Sequence, residues 1–314
     1  MLRRLVPAGL LAAALLAPLG PAQTVAVAAT TGGAPTMGAS TTDNASFESL
    51  NAAAGPLRAR RTYNNALPSS FSRSLMATDA AHDRTSYWSF RPDPKTFASD
   101  TSAQQKLSAF LDTIPAGHQT VVFALHEPED EIRAKKYTLA QWGATNTKVG
   151  RIVHSKNRPE LRFGISLMGP WTFDSRSPYY SYSWKSVLDF SVLDVVGIDP
   201  YKFRATDPPL ERMLTRSNYG LNKTGVPSTM QVLSSWGKPI VLTEFGVRSK
   251  DRYTGATISD SARAAWIQDG YDWMVRWNST NPVKIEAAMY FHHSPDGGPY
   301  LTGAAKTTFA SITH

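Results

Sequence analysis

Two glutamates in this sequence each follow a run of apolar, β-type residues, and together they could cleave a glycosidic bond. Glu127 lies in the segment from Leu125 to Asp130, and Glu244 lies in the segment from Thr243 to Gly246. Hydrolysis with retention of configuration needs two carboxyl groups about 5–5.5 Å apart, one as proton donor and one as nucleophile. A (β/α)8 barrel builds its active site at the C-terminal ends of its strands, where two such glutamates can meet. The pair therefore predicts a catalytic site if the chain forms such a barrel.

Runs of β-type residues alternate with amphipathic helical segments, which is typical of a parallel sheet covered by helices. Predicted helices cover 103–111, 132–146 and 259–277. Predicted strands cover 58–63, 74–78, 85–90, 119–125, 161–167, 192–198, 239–243 and 285–291. We therefore predict an α/β fold, a single-domain (β/α)8 TIM barrel that is irregular in its first strands if 74–78 is not a strand. With eight strands, Glu127 follows the fourth and Glu244 the seventh.

The N-terminal part of the chain predicts export and a loose segment before the barrel. Arg3 and Arg4 precede an apolar stretch from Leu5 to Leu19 and the small residues 26–28, so residues 1–28 are predicted to be a secretory signal peptide. Residues 29–55 are rich in Ala, Thr, Ser and Gly and predict a disordered arm. Residues 56–314 then form the catalytic domain. We expect a secreted, extracellular protein without a stable membrane anchor, because the apolar stretch is short and interrupted by proline.

Composition excludes several other kinds of site. The 314-residue chain has no cysteine, which removes thiol nucleophiles and cysteine-ligated zinc. The formal net charge is +8, but the basic residues are scattered, and Arg58, Arg60 and Arg61 form the densest cluster. We interpret this charge as a solvated surface rather than a nucleic-acid interface. No cofactor is implied, and the expected partner is a polysaccharide or oligosaccharide substrate bound by a monomer.

The motifs around the two glutamates resemble those of the clan A glycoside hydrolases, and most closely glycoside hydrolase family 26. That family has a His-Glu pair after strand four, here His126-Glu127, and a Glu-Phe-Gly segment after strand seven, here Glu244-Phe245-Gly246. The run after strand four is also similar to that of secreted actinobacterial proteins labelled as glycosyl hydrolases. The resemblance implies that Glu127 is the acid/base and Glu244 the nucleophile of a retaining, mannanase-like or related endo-β-glycanase.

Other residues near the predicted strand ends could bind the substrate. By the same resemblance, His126 replaces the asparagine found in most of the clan, and the hydroxyl of Tyr201 contacts the nucleophile. Sugar rings stack on aromatic faces, so Trp171 is the preferred platform and Trp88 a second one. Family 26 members usually have a tryptophan after the last strand, where this chain has 291–293, Phe-His-His. His292 is expected to bind substrate there, and the departure leaves the sugar open.

Two other functions remain open from the sequence. A barrel with the carboxylates kept but the subsites altered could bind a polysaccharide without cleaving it. A metal-dependent hydrolase could use ligands at the barrel mouth, namely His126, Glu127, Asp199, His292 and His293. Loss of hydrolysis in Glu244→Gln separates the enzyme from the binding protein, and sensitivity to a chelator identifies the metal enzyme. A serine hydrolase is disfavoured because the chain has no Gly-x-Ser-x-Gly segment.

Overall fold

The computed structural model describes residues 33–293 and 297–313. The predicted signal peptide, residues 1–28, lies outside the described residues, so export stays a prediction. Within the described ranges, no helix is long and apolar enough to cross a membrane.

The described residues form a closed barrel of eight parallel strands, which confirms the predicted fold. Each strand pairs with the next in the chain, and the ring closes where β8 pairs with β1, with Met289 opposite Gly38. A two-residue strand, Tyr201–Lys202, extends the end of β7 by pairing Tyr201 with Gly246. The barrel strands are β1 (Thr36–Ser40), β2 (Ala59–Asn64), β3 (Thr85–Phe90), β4 (Thr120–Ala124), β5 (Leu161–Leu167), β6 (Val195–Ile198), β7 (Ile240–Val247) and β8 (Ile285–Phe291).

Helices and short 3-10 segments cover the outside of the barrel. Side chains fix the starts of the longer helices by accepting backbone N–H groups: Asp43 for α1, Asp100 for α2 and Ser259 for α8. The helices are α1 (Asn44–Ala54), α2 (Thr101–Asp112), α3 (Glu129–Arg133), α4 (Leu139–His154), α5 (Leu210–Thr215), α6 (Ser217–Gly220), α7 (Thr229–Ser234), α8 (Asp260–Thr280) and α9 (Gly303–Ser311).

Two apolar layers hold the barrel together. A small buried cluster that includes Tyr87, Phe123 and Met289 fills the inside of the barrel. A much larger cluster, with Trp88 and Val122 among its members, lies between the strands and the helices. Tyr87 and Trp88 are neighbours in β3 yet belong to different layers, because successive side chains of a strand point to opposite faces.

The predicted disordered arm, 29–55, is wrong from Thr36 onward, because β1 and α1 both lie there. The barrel therefore begins at Thr36 and not at residue 56. Apart from Met37, the residues of β1 are small, and they give only a weak strand signal by themselves. Their size is what the packing requires, since a Cβ on Gly38 would lie 2.2 Å from the carbonyl oxygen of Ala59 in β2.

The predicted number of barrel strands, eight, is confirmed, but one of the predicted strands is wrong and one observed strand was not predicted. The weak strand predicted at 74–78 is a 3-10 turn, Leu75–Thr78, and the unpredicted β1 takes its place in the count. The predicted strands at 58–63 and 85–90 are β2 and β3. Glu127 follows the fourth barrel strand, as the sequence indicates. Glu244 belongs to the seventh, but it lies within that strand, which continues to Val247, and not after it.

Candidate active site

Glu244 lies near the C-terminal end of β7 and is almost completely buried, with 5% of its surface exposed. Both of its carboxylate oxygens accept hydrogen bonds from phenols. Tyr63 in β2 donates to Oε1, and Tyr201 after β6 donates to Oε2. Hydrogen bonds to a carboxylate favour its ionised form. The two tyrosines therefore fix the orientation of Glu244 and stabilise its negative charge.

Glu127 lies in the turn between β4 and α3, where the backbone is unusual. Leu125 has a φ of +53° and Glu127 a φ of +48°, in the left-handed region that residues other than glycine rarely adopt. Such a residue costs of order 1 kcal/mol and persists only where its surroundings hold it. Here the Leu125 N–H donates to the carbonyl of Phe90 at 3.1 Å, and the Glu127 N–H donates to that of Ser166 at 3.0 Å. These hydrogen bonds to β3 and β5 thus fix the position of the Glu127 backbone, from which its side chain extends.

Three carboxylates meet at this end of the barrel. Glu127, Asp199 and Glu244 each have an oxygen within 4.8 Å of the others. Asp199 directly follows β6 and accepts hydrogen bonds from the hydroxyls of Ser166, at 3.1 Å, and Thr243. The spacing of the two glutamates fits the separation of about 5–5.5 Å in retaining glycosidases. The glutamates therefore converge as the sequence predicts, and their catalytic roles stay a prediction.

A buried arginine adds positive charge to the site. Arg61, two residues before Tyr63 in β2, is fully buried between the rings of Tyr63 and Phe123, at 4.8 and 4.6 Å from their centroids. Its guanidinium nitrogens have no hydrogen-bond partner in the described part of the chain. A buried charge is costly unless opposite charge compensates it. The carboxylates at the barrel mouth supply that compensation through space.

The electrostatics assign different protonation states to the two glutamates. Burial raises the pKa of Glu127 well above its usual value, and the negative charge of Glu244 raises it further. Burial also raises the pKa of Glu244, but the charge of Arg61 and the hydrogen bonds from Tyr201 and Tyr63 lower it. The proton of the pair consequently resides on Glu127, while Glu244 is the ionised member. One protonated and one ionised carboxyl group are what a proton donor and a nucleophile require.

His126 lies beside this pair as a neutral hydrogen-bond donor. Its ring is 5.0 Å from that of Tyr63, and its Nε2 accepts from the guanidinium of Arg91 at 3.4 Å. Burial lowers the pKa of His126 well below its usual value, and the charges of Arg61 and Arg91 lower it further. The proton of the neutral ring therefore lies on Nδ1, which is buried without a partner among the described residues. Substrate binding by His126 stays a prediction.

The residues expected for the metal alternative are not assembled in one place. Among the described residues, Glu127, Asp199 and Glu244 form the group that could hold a metal ion, and oxygen ligands suit hard cations. His292 and His293, however, line a separate cleft between α1 and the start of α9. The oxygens of Glu244 and Asp199 already accept hydrogen bonds from phenols and hydroxyls. The arrangement fits paired carboxyl groups better than the predicted histidine-containing ligand set.

The two tryptophans predicted as sugar platforms lie in different surroundings. Trp171 follows β5 and is 39% exposed, so it can contact a ligand. Trp88 is fully buried, donates from Nε1 to Asn64 at 2.8 Å, and packs against Phe90 and Phe110. The prediction for Trp88 is wrong, because strand alternation turns this side chain into the layer between β3 and α2. Trp171 as a platform stays a prediction.

The remaining predicted residues differ in their distance from the carboxylates. Tyr201 contacts Glu244 directly. His292 instead stacks on Tyr300, with ring centroids 4.0 Å apart, and its Nδ1 accepts the N–H of Leu301 at 3.1 Å. Substrate binding by Tyr201 and by His292 stays a prediction.

Sequence reasoning missed Tyr63 and Arg61. Both lie in a strand that the sequence does predict, and Ala59, Arg61 and Tyr63 share one face of it by alternation. The interpretation of the arginine cluster as solvated surface charge is wrong for Arg60 and Arg61, because both side chains are fully buried. A signal for both residues is present in the sequence. An arginine and a tyrosine lie on one face of a predicted strand, near the C-terminal end where the active site is expected.

Solved structures share this architecture, although no protein-family model and no curated protein matches the chain. One is endo-1,4-β-D-xylanase 10B from Clostridium thermocellum, with a TM-score of 0.60 and 11% identity over 90% of this chain and 66% of that one. Another is xylanase B from Clostridium stercorarium F9, with a TM-score of 0.58 and 12% identity over 88% of this chain and 96% of that one.

A third is a glucosidase from Croceicoccus marinus, with a TM-score of 0.57 and 11% identity over 88% of this chain and 66% of that one. These structural neighbours are (β/α)8 glycoside hydrolases. The chain thus spans 66% of the length of two of the three. At 11–12% identity, the likeness establishes the barrel fold that this chain shares with them.

Proposed function

We propose that this protein is a retaining glycoside hydrolase that cleaves β-glycosidic bonds in a polysaccharide. The observation that carries the proposal is the pair formed by Glu127 and Glu244, whose oxygens lie within 4.8 Å at the C-terminal end of the barrel. The tyrosine hydrogen bonds to Glu244 and the raised pKa of Glu127 add the protonation states that the reaction needs. The fold alone would not support an activity, since barrels host many chemistries. The glycoside hydrolases among the structural neighbours support this particular one.

In the first step, an oxygen of Glu244 attacks the anomeric carbon of the bound sugar. The bond from that carbon to the leaving oxygen breaks, and Glu127 transfers its proton to the leaving oxygen. The products are a glycosyl ester on Glu244 and a released alcohol group of the glycan. Tyr63 and Tyr201 hold the attacking carboxylate in position, and Arg61 stabilises its charge before the attack.

In the second step, Glu127 acts as the general base. It removes a proton from a water molecule as the water oxygen attacks the anomeric carbon and the ester bond to Glu244 breaks. Glu127 is then protonated and Glu244 ionised, as at the start. Two inversions at one carbon give net retention of configuration.

We further propose an endo-acting β-glycanase of the mannanase-like kind, related to glycoside hydrolase family 26. The His126-Glu127 pair and the segment from Glu244 to Gly246 support this assignment. Two structural neighbours are named as xylanases, one of them as an endo-1,4-β-D-xylanase, which supports a β-glycanase. The replacement of the usual tryptophan by the sequence Phe-His-His at 291–293 indicates a different sugar preference.

We also propose that the protein acts outside the cell. The charged and apolar residues of the predicted signal peptide support export. Because β1 begins at Thr36, removal of residues 1–28 would leave every strand of the barrel intact. N-terminal sequencing of protein collected from the culture medium should find a start near Ala29, and a start at Met1 would contradict export by cleavage.

The test of the catalytic proposal is the anomeric configuration of the first product, followed by ¹H NMR during hydrolysis of β-mannan, β-xylan and mixed-linkage β-glucan. We expect the β anomer to form first with at least one substrate, and Glu244→Gln to abolish the reaction. Initial formation of the α anomer would contradict retention. Binding of a glycan without hydrolysis, equal in wild type and Glu244→Gln, would favour the binding-protein alternative. Loss of activity in EDTA, restored by a divalent cation, would favour the metal alternative.

A further inference from the structure

A second concave surface lies at the same end of the barrel as the catalytic pair. It is a cleft of about 660 Å³ between the first turns of α1, the residues after β8 and the start of α9, and we name it the α1–α9 cleft. Its lining includes His292, His293, Tyr300 and Lys306. None of the described residues that line it is acidic. A cleft of this size can hold a sugar unit.

His292 presents a hydrogen-bond donor of known tautomer to this cleft. The Leu301 N–H donates to Nδ1 of His292, so the proton of the neutral ring lies on Nε2. His292 is 8% exposed, and its Nε2 has no hydrogen-bond partner in the described part of the chain. Burial lowers the pKa of His292 to about 4, which keeps the ring neutral near pH 7. The side chain is therefore held by its backbone contact and by the ring of Tyr300, with a donor at Nε2 that no described residue accepts.

Among the described residues, the charged groups that act on His292 are basic. Burial has the largest effect on its pKa, and His293, Lys306 and Arg263 lower the pKa further. Two acids that contact lining residues of the cleft also have other partners: Asp43 accepts from the N–H of Ser46, and Asp260 accepts from Arg263 at 2.8 Å. Asp43 caps the start of α1, and Asp260 accepts from Thr302 at the start of α9, so these acids offset the positive ends of the two helix dipoles. The positive potential of the cleft therefore comes from its basic side chains. Lys306 is the cationic side chain in the lining, and it is exposed to the cleft.

One aromatic side chain connects this cleft with the nucleophile. Phe291 packs edge-on against Tyr201, at 5.8 Å between centroids, and its other contact is the stacked ring of His293 at 4.0 Å. Tyr201 in turn donates to Glu244. His293 is fixed further by Ser40, whose Oγ lies 2.9 Å from its Nε2. Ring contacts through Phe291 thus join Tyr201, which contacts Glu244, to His293 in the lining of the cleft.

We propose that the α1–α9 cleft binds the carboxylate of a uronic acid unit, so that the substrate is an acidic β-glycan. The inference rests on the proposed function, because it names the class of substrate that the catalytic pair would cleave and assigns the neighbouring cleft to one of its sugar units. One lysine and a neutral imidazole donor match a single negative charge with oxygen acceptors. A phosphate group carries nearly two negative charges, whereas the described lining of the cleft offers the single positive charge of Lys306.

The test uses matched hexasaccharides that differ only at C6. Isothermal titration calorimetry with the Glu244→Gln protein would compare β-1,4-linked glucuronate with glucose hexamers, and mannuronate with mannose hexamers. We expect the uronate of at least one pair to bind about tenfold or more tightly than its neutral twin, as a charge-assisted hydrogen bond allows. The added substitution Lys306→Met should reduce this ratio to near unity, and Lys306→Arg should preserve it. Lys223→Met, which changes an exposed lysine outside the lining, is the matched control and should leave the ratio unchanged.

Several results would overturn the inference. These are neutral hexamers that bind as tightly as both uronates, a uronate preference that survives Lys306→Met, and no binding of either uronate. Tighter binding of a C6-sulfated glucose hexamer than of the glucuronate hexamer would overturn the assignment to a carboxylate. Hydrolysis of the same hexamers by wild type separates the two claims. Hydrolysis without a preference for uronates would support the proposed function and contradict this inference. A preference for uronates without hydrolysis would support uronate binding in the cleft and contradict the proposed function.

Discussion

Tyr63 and Glu244, 181 positions apart in the chain, are joined by a hydrogen bond from the phenol to Oε1 of the carboxylate. The bond connects β2 and β7, which are not neighbours in the barrel. Tyr201, which follows β6, donates a hydrogen bond to the other carboxylate oxygen, Oε2. A carboxylate held on both oxygens loses little freedom when it reaches its reactive geometry, which is a known source of catalytic rate. The tyrosine pair is thus the most direct sign that Glu244 is prepared to react.

Replacing either tyrosine by phenylalanine should slow the reaction and shift its pH dependence. Each substitution removes a donor to the ionised carboxylate, and we expect kcat to fall about tenfold to a hundredfold for Tyr63→Phe and for Tyr201→Phe. Hydrogen bonds from these phenols lower the pKa of Glu244, so their loss raises it. The acidic limb of the kcat/KM profile should therefore move to higher pH. Tyr180→Phe, at an exposed tyrosine, is the control, and an unmoved acidic limb in both site variants would contradict the assignment.

Arg61 should act on the charge of Glu244 and not through a direct contact. Its positive charge lowers the pKa of Glu244 against the effect of burial, so Arg61→Met should move the acidic limb of the pH profile upward. Arg60→Met is the matched control, because the neighbouring Arg60 pairs with the buried Asp79 at 3.6 Å. We expect Arg60→Met to lower the free energy of unfolding by about 3–5 kcal/mol without moving the acidic limb. Equal effects of the two substitutions on the pH profile would contradict this division of roles.

Glu129 should make the stability of the protein fall between pH 4.5 and 7. This carboxyl group is fully buried, accepts from the N–H of Met168 at 2.7 Å and the hydroxyl of Thr172 at 2.5 Å, and burial raises its pKa from 4.5 to about 7. A raised folded-state pKa means that the stabilisation is complete below the unfolded pKa and is lost as pH rises through the folded one. The loss is about 3 kcal/mol relative to Glu129→Gln, which cannot ionise. Urea denaturation of both proteins at pH 5 and pH 8 measures it, and a difference between them that is independent of pH would refute it.

Trp171 and Trp88 should separate binding from stability. Trp171 is 39% exposed, so Trp171→Ala should weaken polysaccharide binding, seen as a KM about tenfold higher, with little change in melting temperature. Trp88 is fully buried, so Trp88→Ala should destabilise the fold by about 3–5 kcal/mol. Differential scanning calorimetry and kinetics on one polysaccharide measure both effects. An unchanged KM in Trp171→Ala would remove this residue from the binding surface.

The later strands and both glutamates were predictable because they combine strong local signals. β4 and the first part of β7 are short apolar runs rich in β-branched residues, and a glutamate soon after such a run has few structural reasons to be there. The start of the barrel lacked that signal. The residues of β1 are small apart from Met37, and Gly38 allows the close approach to β2. In α1 the buried residues are Phe47, Leu50 and Ala54. Composition alone therefore resembled a disordered segment.

Whether Tyr63 and Trp88 reach the carboxylates depends on the three-dimensional arrangement of the strands, which the sequence does not give. Tyr63 reaches Glu244 because its face of β2 points into the barrel, whereas Trp88 packs against Phe110 because its face of β3 points outward. Alternation defines two faces of each strand, but only the closed barrel decides which face is inside. The contact between Tyr63 and Glu244 needed the relative positions of two distant strands.

The central claim is that Glu244 becomes covalently bonded to the sugar while Glu127 handles the proton. The most direct measurement is peptide mass spectrometry after incubation with 2-deoxy-2-fluoro glycosides that have activated leaving groups, in gluco, manno, xylo and glucurono forms. We expect one glycosyl unit on the peptide that contains Glu244, and no label in Glu244→Gln. A label on Glu127 or Asp199 in the wild-type protein would contradict the account.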